Sequence, residues 1–174
     1  EDMNKVKKLD KWKGDIPVNL ESGNFMPPNL TEIDDKLALD SKYSDRPEEQ
    51  RFEKAVSGAY LAALMKLAMP QSDVDPELGS VDVVRIANGS STDERAQIEM
   101  AQSILSRSAK LVSASLAGLI SVLHSERPRR NICISAEGSL FWGYKPYEPI
   151  AHEALTAILE ELEISDMEIR FAAN

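Results

Sequence analysis

A helical pattern runs from about Thr92 to His124, roughly nine turns, and it constrains this chain more than any other feature. Thr92, with Glu94 and Arg95, supplies a start, and the charged break Glu126 to Arg130, which contains Pro128, supplies a stop. Between Leu111 and Leu123 apolar residues face almost every direction, which predicts a segment buried on several sides. Ser113, Ala114, Ser115, Ala117 and Gly118 are small, so another backbone can approach closely there.

Ahead of this segment, residues 1 to 16 are dominated by charge and read as solvated. Ile16 to Leu20 reads as a short strand, and Glu21-Ser22-Gly23-Asn24 as a turn. Pro27-Pro28 excludes helix interior, and Thr31 with Asp34 fits an N-cap that opens a short helix through Leu39. Pro47 is expected to begin one long helix that stops before Pro70. Glu48, Glu49 and Glu53 lie near its positive end, and Phe52, Val56, Ala59, Tyr60, Ala63 and Leu64 form its buried face. Residues 71 to 80 form a surface connection, and Val81 to Ile86 leaves strand and helix both open. Beyond the long helix, Asn131 to Gly143 alternates like a hairpin. Ile132, Ile134 and Ala136 share a face, Glu137-Gly138 makes the turn, and Leu140 and Trp142 resume the alternation. Pro149 is expected to start a helix reaching about Glu161, and Met167 to Ala173 a last strand. Strands alternating with helices predict an α/β fold, a mixed sheet with packed helices rather than a bundle.

Composition narrows the function. The 174 residues amount to about one domain and carry a net charge of −9 with a pI near 4.8, which argues against a nucleic-acid binder needing a basic face. Cys133 is the single cysteine, so no internal disulfide forms, and no Cys/His set has zinc spacing. There is no signal peptide and no uncharged apolar stretch of about 18 residues, so a cytoplasmic location without membrane contact is the default expectation. The chain begins Glu1-Asp2 without an initiator methionine, and a longer parent protein is expected.

Standard catalytic signatures are missing: there is no GxxxxGK[ST] loop and no GxGxxG turn. The two histidines, His124 and His152, sit within helical patterns where dipole contact or packing accounts for them. Glu21 at a strand end, and Glu53 in the first turns of a helix beside Gln50, admit two readings. They are two carboxylates converging on sugar hydroxyls, or a solvated turn residue and a helix-dipole residue.

Four stretches, in order, resemble the eukaryotic-type hexokinases. Val18-Asn19-Leu20-Glu21-Ser22-Gly23-Asn24-Phe25 is similar to the family's Asn-x-Glu-x-Gly-x-Phe. Arg46-Pro47-Glu48-Glu49-Gln50-Arg51-Phe52-Glu53-Lys54, continued by Val56-Ser57-Gly58-Ala59-Tyr60-Leu61, resembles Asn-Pro-Gly-x-Gln-x-Phe-Glu-Lys-x-x-Ser-Gly-x-Tyr-Leu. Ser106-Arg107-Ser108-Ala109 and Ser113 to Gly118 resemble a Thr-Arg-x-Ala and Ala-Gly-Leu-Ala helix, and Glu137-Gly138-Ser139 resembles an Asp-Gly-Ser turn. Ser22 replaces a frequent Trp, Arg46 an Asn, and Glu48 a Gly.

The resemblance implies that residues 1–174 form a partial large (C-terminal) domain of the hexokinase, actin-like/ribonuclease H-like ATPase fold. The small domain and the catalytic loops are then expected outside this chain. It implies Glu21, Glu53 and Gln50 as hexose-binding residues, and Ser106, with Ser103 nearby, toward the nucleotide. The implied substrates are a hexose and Mg-ATP, with no metal held by the chain itself and the catalytic Asp upstream. For Ser106 a mid-helix hydroxyl bonding to its own turn stays open. A non-catalytic sugar-sensing or scaffold domain is the alternative function.

Overall fold

The computed structural model describes residues 20–40, 42, 46, 48–89, 94–126, 128, 130–164 and 167–173, and among these Thr31 and Asp34 open the first helix. The Asp34 carboxylate accepts from the Thr31 backbone N–H and from its hydroxyl, both at 2.7 Å, forming the capping box expected for α1 (Glu32–Leu39). The charged start at residues 1–16, the strand over residues 16–20 apart from Leu20, Pro47 as a helix start and Thr92 as a cap lie outside the described residues.

The single long helix expected from Pro47 to Pro70 is instead two, α2 (Arg51–Val56) and α3 (Leu61–Ala68). Ser57 turns extended (φ −73°, ψ 137°), and the Gly58 carbonyl accepts the backbone N–H of Ser80 at 2.6 Å. A tertiary hydrogen bond therefore takes a carbonyl that a continuous helix needs for its own ladder. Residues 80–87, ambiguous in sequence, form the helix α4 (Ser80–Ala87). Ahead of it lies a 3-10 turn, Pro76–Leu78, whose Asp75 side chain accepts the Glu77 N–H at 2.9 Å.

The long helix α5 spans Arg95–Glu126. Its buried stripe, Ala101, Leu105, Ala109, Ser113, Ala117 and Ile120, follows the spacing of one helical face. The stripe packs against α7 (Tyr147–Glu161), which begins two residues before Pro149 and buries Tyr147, Ala151, Leu155 and Leu159. Small side chains bring the two backbones close: the Ser113 hydroxyl lies 2.8 Å from the carbonyls of both Ala109 and Ala151. Burial on several sides, expected for Leu111 to Leu123, is not what forms. Leu119 is 39%, Val122 59% and Leu123 52% exposed, because among the described residues α7 and the sheet cover one flank of this half. By length and composition alone α5 is apolar enough to cross a membrane, and its apolar content includes the stripe that builds the core.

The expected hairpin is also replaced. Strand β1 (Asn131–Ala136) pairs in parallel with β2 (Glu168–Ala173), Ile132 opposite Ile169 and Ile134 opposite Phe171, in a sheet that has two strands among the described residues. Residues 139–143 form the short helix α6 (Ser139–Gly143), so α6 and α7 together make the crossover that a parallel pair requires. Ile132, Ile134 and Ala136 do share the half-buried face. Gly138 (φ 113°) turns the chain away from the strand, and the Trp142 indole N–H donates to the Ala136 carbonyl at 2.9 Å. The core has two parts: Leu37, Leu61, Met65, Ile86 and Leu105 between α1, α3, α4 and α5, and Ile120, Leu155, Leu159 and Ile169 between α5, α7 and β2.

Candidate functional site

Glu21 takes a left-handed backbone (φ 47°, ψ 42°) and leads into a 3-10 turn, Ser22–Asn24. That turn is seated on the start of α2. Asn24 Oδ1 accepts the Gln50 N–H at 3.1 Å, the Phe25 carbonyl accepts the Phe52 N–H at 3.1 Å, and the two phenyl rings meet edge-on with centroids 6.3 Å apart. Gly23 lies under Glu53: a Cβ there would sit 3.1 Å from Glu53 Oε2 and 3.3 Å from its Cβ. The fold thus brings the turn that follows Glu21 onto the Gln50–Glu53 segment, which is distant from it in sequence.

Backbone strain concentrates at the same place. Gln50 (φ 55°) and Glu21 are two of the three non-glycine residues with positive φ among the described residues, the third being Glu163. Such conformations cost of order 1–3 kcal/mol each and persist where surrounding bonds hold them, commonly at ligand sites. Glu21 and Gln50 are exposed and Glu53 is half-buried, so the carboxylate edge is open to a solute. Behind it, Lys54 is buried and its Nζ has no hydrogen-bond partner among the described residues. Burial pushes the Lys54 amine down from its ordinary pKa, the Arg51 charge adds to this, and Glu49 opposes it.

A second feature is a cleft of about 810 Å³ bounded by residues 56–59, residues 77–81, Val112 and Leu116 of α5, residues 134–141, Tyr147 and Phe171. A pocket of that volume is in the range of those that take small organic ligands. Its walls are mainly apolar, with the hydroxyls of Ser57, Ser80, Ser135 and Ser139 among its lining residues. Two glycines allow its edges to meet. A Cβ on Gly58 would lie 2.7 Å from Ser80 Oγ, and one on Gly79 (φ 54°) would lie 2.7 Å from the Gly58 carbonyl oxygen. Below it the Ser108 hydroxyl lies 2.8 Å from both the Val56 carbonyl and the Tyr147 hydroxyl, joining α2, α5 and α7. Burial raises the Tyr147 pKa, and the Ser108 hydrogen bond offsets part of that rise.

Of the residues expected toward the nucleotide, Ser106 is half-buried and Ser103 exposed on α5, and neither lines this cleft. Sequence reasoning missed the cleft walls, although two of its edges were in view as motif pieces, Ser57-Gly58 and Glu137-Gly138-Ser139. His152 Nε2 lies 3.1 Å from the Ile169 carbonyl, a packing contact between α7 and β2. Among the described residues no cluster of three or more His, Cys, Asp or Glu side chains forms a metal site.

Comparison with known proteins places this arrangement. The family described as Hexokinase matches residues 1–73 and 71–174. Hexokinase-2 of Solanum tuberosum is 24% identical over an alignment taking in 90% of this chain and 41% of that protein. Hexokinase-7 of Oryza sativa subsp. japonica is 26% identical, with 98% and 46% covered. Among solved structures, a Schistosoma mansoni hexokinase complexed with glucose superposes with a TM-score of 0.69 at 19% identity, over 99% of this chain and 46% of that one. A second hexokinase crystal structure gives 0.62 at 26% identity, over 90% and 41%. The chain therefore spans less than half the length of these relatives, and its mixed helix–strand layer has the fold of the hexokinase large domain. With the family match extending over both the carboxylate turn and the cleft, this chain belongs to the hexokinase family.

Proposed function

We propose that this chain is the greater part of the large domain of an ATP-dependent hexokinase, and that it supplies one side of the hexose site and part of the nucleotide wall. The observation that carries the reading is the seating of the Glu21 turn on the Gln50–Glu53 segment, with the Glu53 carboxylate directly over Gly23. Ionised carboxylates accept through two oxygens each, so Glu21 and Glu53 suit a polyhydroxylated sugar, with the Gln50 amide as donor and acceptor beside them. The apolar cleft suits the flat faces of a nucleoside base, and Ser106 and Ser103, which lie outside that cleft on α5, keep their place toward the nucleotide by the family resemblance alone. Mg²⁺ arrives as part of the Mg-ATP substrate.

In this reading the γ-phosphoryl group passes to the hexose 6-hydroxyl, and the chemistry is mostly positioning and charge stabilisation. The base that takes the hydroxyl proton and the loops that cradle the phosphates come from parts of the parent outside these 174 residues. The isolated chain is accordingly expected to be inactive. The test is hexose-dependent ADP formation by the full-length parent. Glu21→Gln and Glu53→Gln should each raise the hexose KM or lower kcat by about tenfold or more, the scale of a lost charged hydrogen bond. Unchanged kinetics in both variants would remove these residues from the site. Glucose binding without turnover in the parent would replace catalysis with the sensor role.

A further inference from the structure

Asp34 and Asp35 are adjacent on α1 and hold two arginines from different elements. Asp34 is 5% exposed, and its Oδ2 accepts from Arg107 Nη2 of α5 at 2.7 Å while closing the N-terminus of α1. Asp35 pairs with Arg51, the first residue of α2. The Arg51 side chain is only 11% exposed, whereas Asp35 is open to solvent. Arg51 stands between Gln50, held in its left-handed conformation by Asn24, and Phe52, bonded through its N–H to Phe25. The Glu21 turn thus restrains one side of the first turn of α2, and the ion pair restrains the other. Helix α1 is a firm anchor because the part-buried Asp34–Arg107 pair ties it to α5, the longest helix among the described residues.

We infer that Asp35 and Arg51 are positioning residues for the hexose clamp, with the Asp34–Arg107 pair keeping their helix in register. This rests on the reading of Glu53 as a sugar ligand. Neither Asp35 nor Arg51 reaches the sugar; they fix the azimuth of α2, and with it the aim of the Glu53 carboxylate and the Gln50 amide. Binding groups need placement within about half an ångström, so a loosened first turn acts on affinity. Asp35 is open to solvent and Arg51 is mostly buried, so the melting midpoint is read beside the affinity to separate the aim of the clamp from unfolding.

The experiment is glucose titration by calorimetry on the full-length parent, paired with thermal melting without sugar. Asp35→Asn and Arg51→Gln should each weaken glucose binding about fivefold while the sugar-free protein remains fully folded at the titration temperature, and Asp35→Glu, which keeps the charge, should bind within about twofold of wild type. Unchanged affinity in Asp35→Asn and Arg51→Gln, alongside a large loss in Glu53→Gln, overturns the positioning role and leaves the sugar site intact. Unchanged affinity in Glu53→Gln as well overturns both. Parallel losses of affinity and melting midpoint that Asp35→Glu does not restore overturn the positioning role in favour of a structural one.

Discussion

Gly23 and Glu53 meet closely: a Cβ at position 23 would lie 3.1 Å from Glu53 Oε2 and 3.3 Å from Glu53 Cβ, so a larger residue there requires the Glu53 side chain to give way. The glycine is favoured by this approach rather than by its backbone angles, since its φ is not in the left-handed range. Gly23→Ala should push the Glu53 carboxylate aside. In the parent protein the expected result is a hexose KM raised several-fold, with a stability cost of about 1 kcal/mol, the lower end for overpacking. Kinetics and denaturant titration of the same variant separate the two effects.

Two other glycines should respond with opposite sign. Gly79 combines φ 54° with a carbonyl oxygen 2.7 Å from its hypothetical Cβ, so Gly79→Ala should destabilise by more than about 1 kcal/mol and distort the cleft edge. Gly118 lies in α5 with nothing within 4 Å of a Cβ, so Gly118→Ala should stabilise by about 0.5–1 kcal/mol through helix propensity. Denaturant midpoints of the two variants check both.

The Ser108–Tyr147 pair is fully buried, and its loss leaves a polar group stranded. Ser108→Ala should cost about 1–3 kcal/mol because the Tyr147 hydroxyl and the Val56 carbonyl both lose their partner, whereas Tyr147→Phe should cost less. The double variant should be less destabilised than the sum of the singles, as read by a double-mutant cycle.

The raised Tyr147 pKa also sets a pH dependence. The folded state holds the phenolic proton more tightly than the unfolded chain, so Tyr147 favours folding below the unfolded value of about 10 and that contribution is lost as pH rises through the folded pKa. Stability should therefore fall above about pH 10, and Tyr147→Phe should flatten that fall in denaturation curves taken across the alkaline range.

Glucose should stabilise the parent against heat. A ligand at 100 times its dissociation constant adds about 2.7 kcal/mol, and Glu53→Gln at the same glucose concentration should lose most of it. Differential scanning calorimetry with and without sugar measures the difference.

Local chemistry was legible in the sequence. The Thr31–Asp34 capping box, the long helix within a few residues of its ends and the strand ending at Ala173 could all be read from spacing of a few residues, because caps and helical periodicity are set by near neighbours, whereas the motif that carries Glu53 was legible only through its family resemblance. Which elements pair was decided only by tertiary contacts. Ile132, Ile134 and Ala136 mark a strand whatever its partner, and β2, more than thirty residues on, takes the place that the turn at Gly138 suggested for Leu140 and Trp142. A short alternating run fits strand or helix equally, so residues 139–143 follow their packing. The break at Ser57 arises the same way, from the Ser80 N–H that claims the Gly58 carbonyl. The meeting of Gly23 with Glu53, the cleft beside Gly58 and Gly79, and the Asp35–Arg51 pair all belong to this second class. They join residues well separated along the chain, and only the enclosed three-dimensional chain brings such groups within bonding distance.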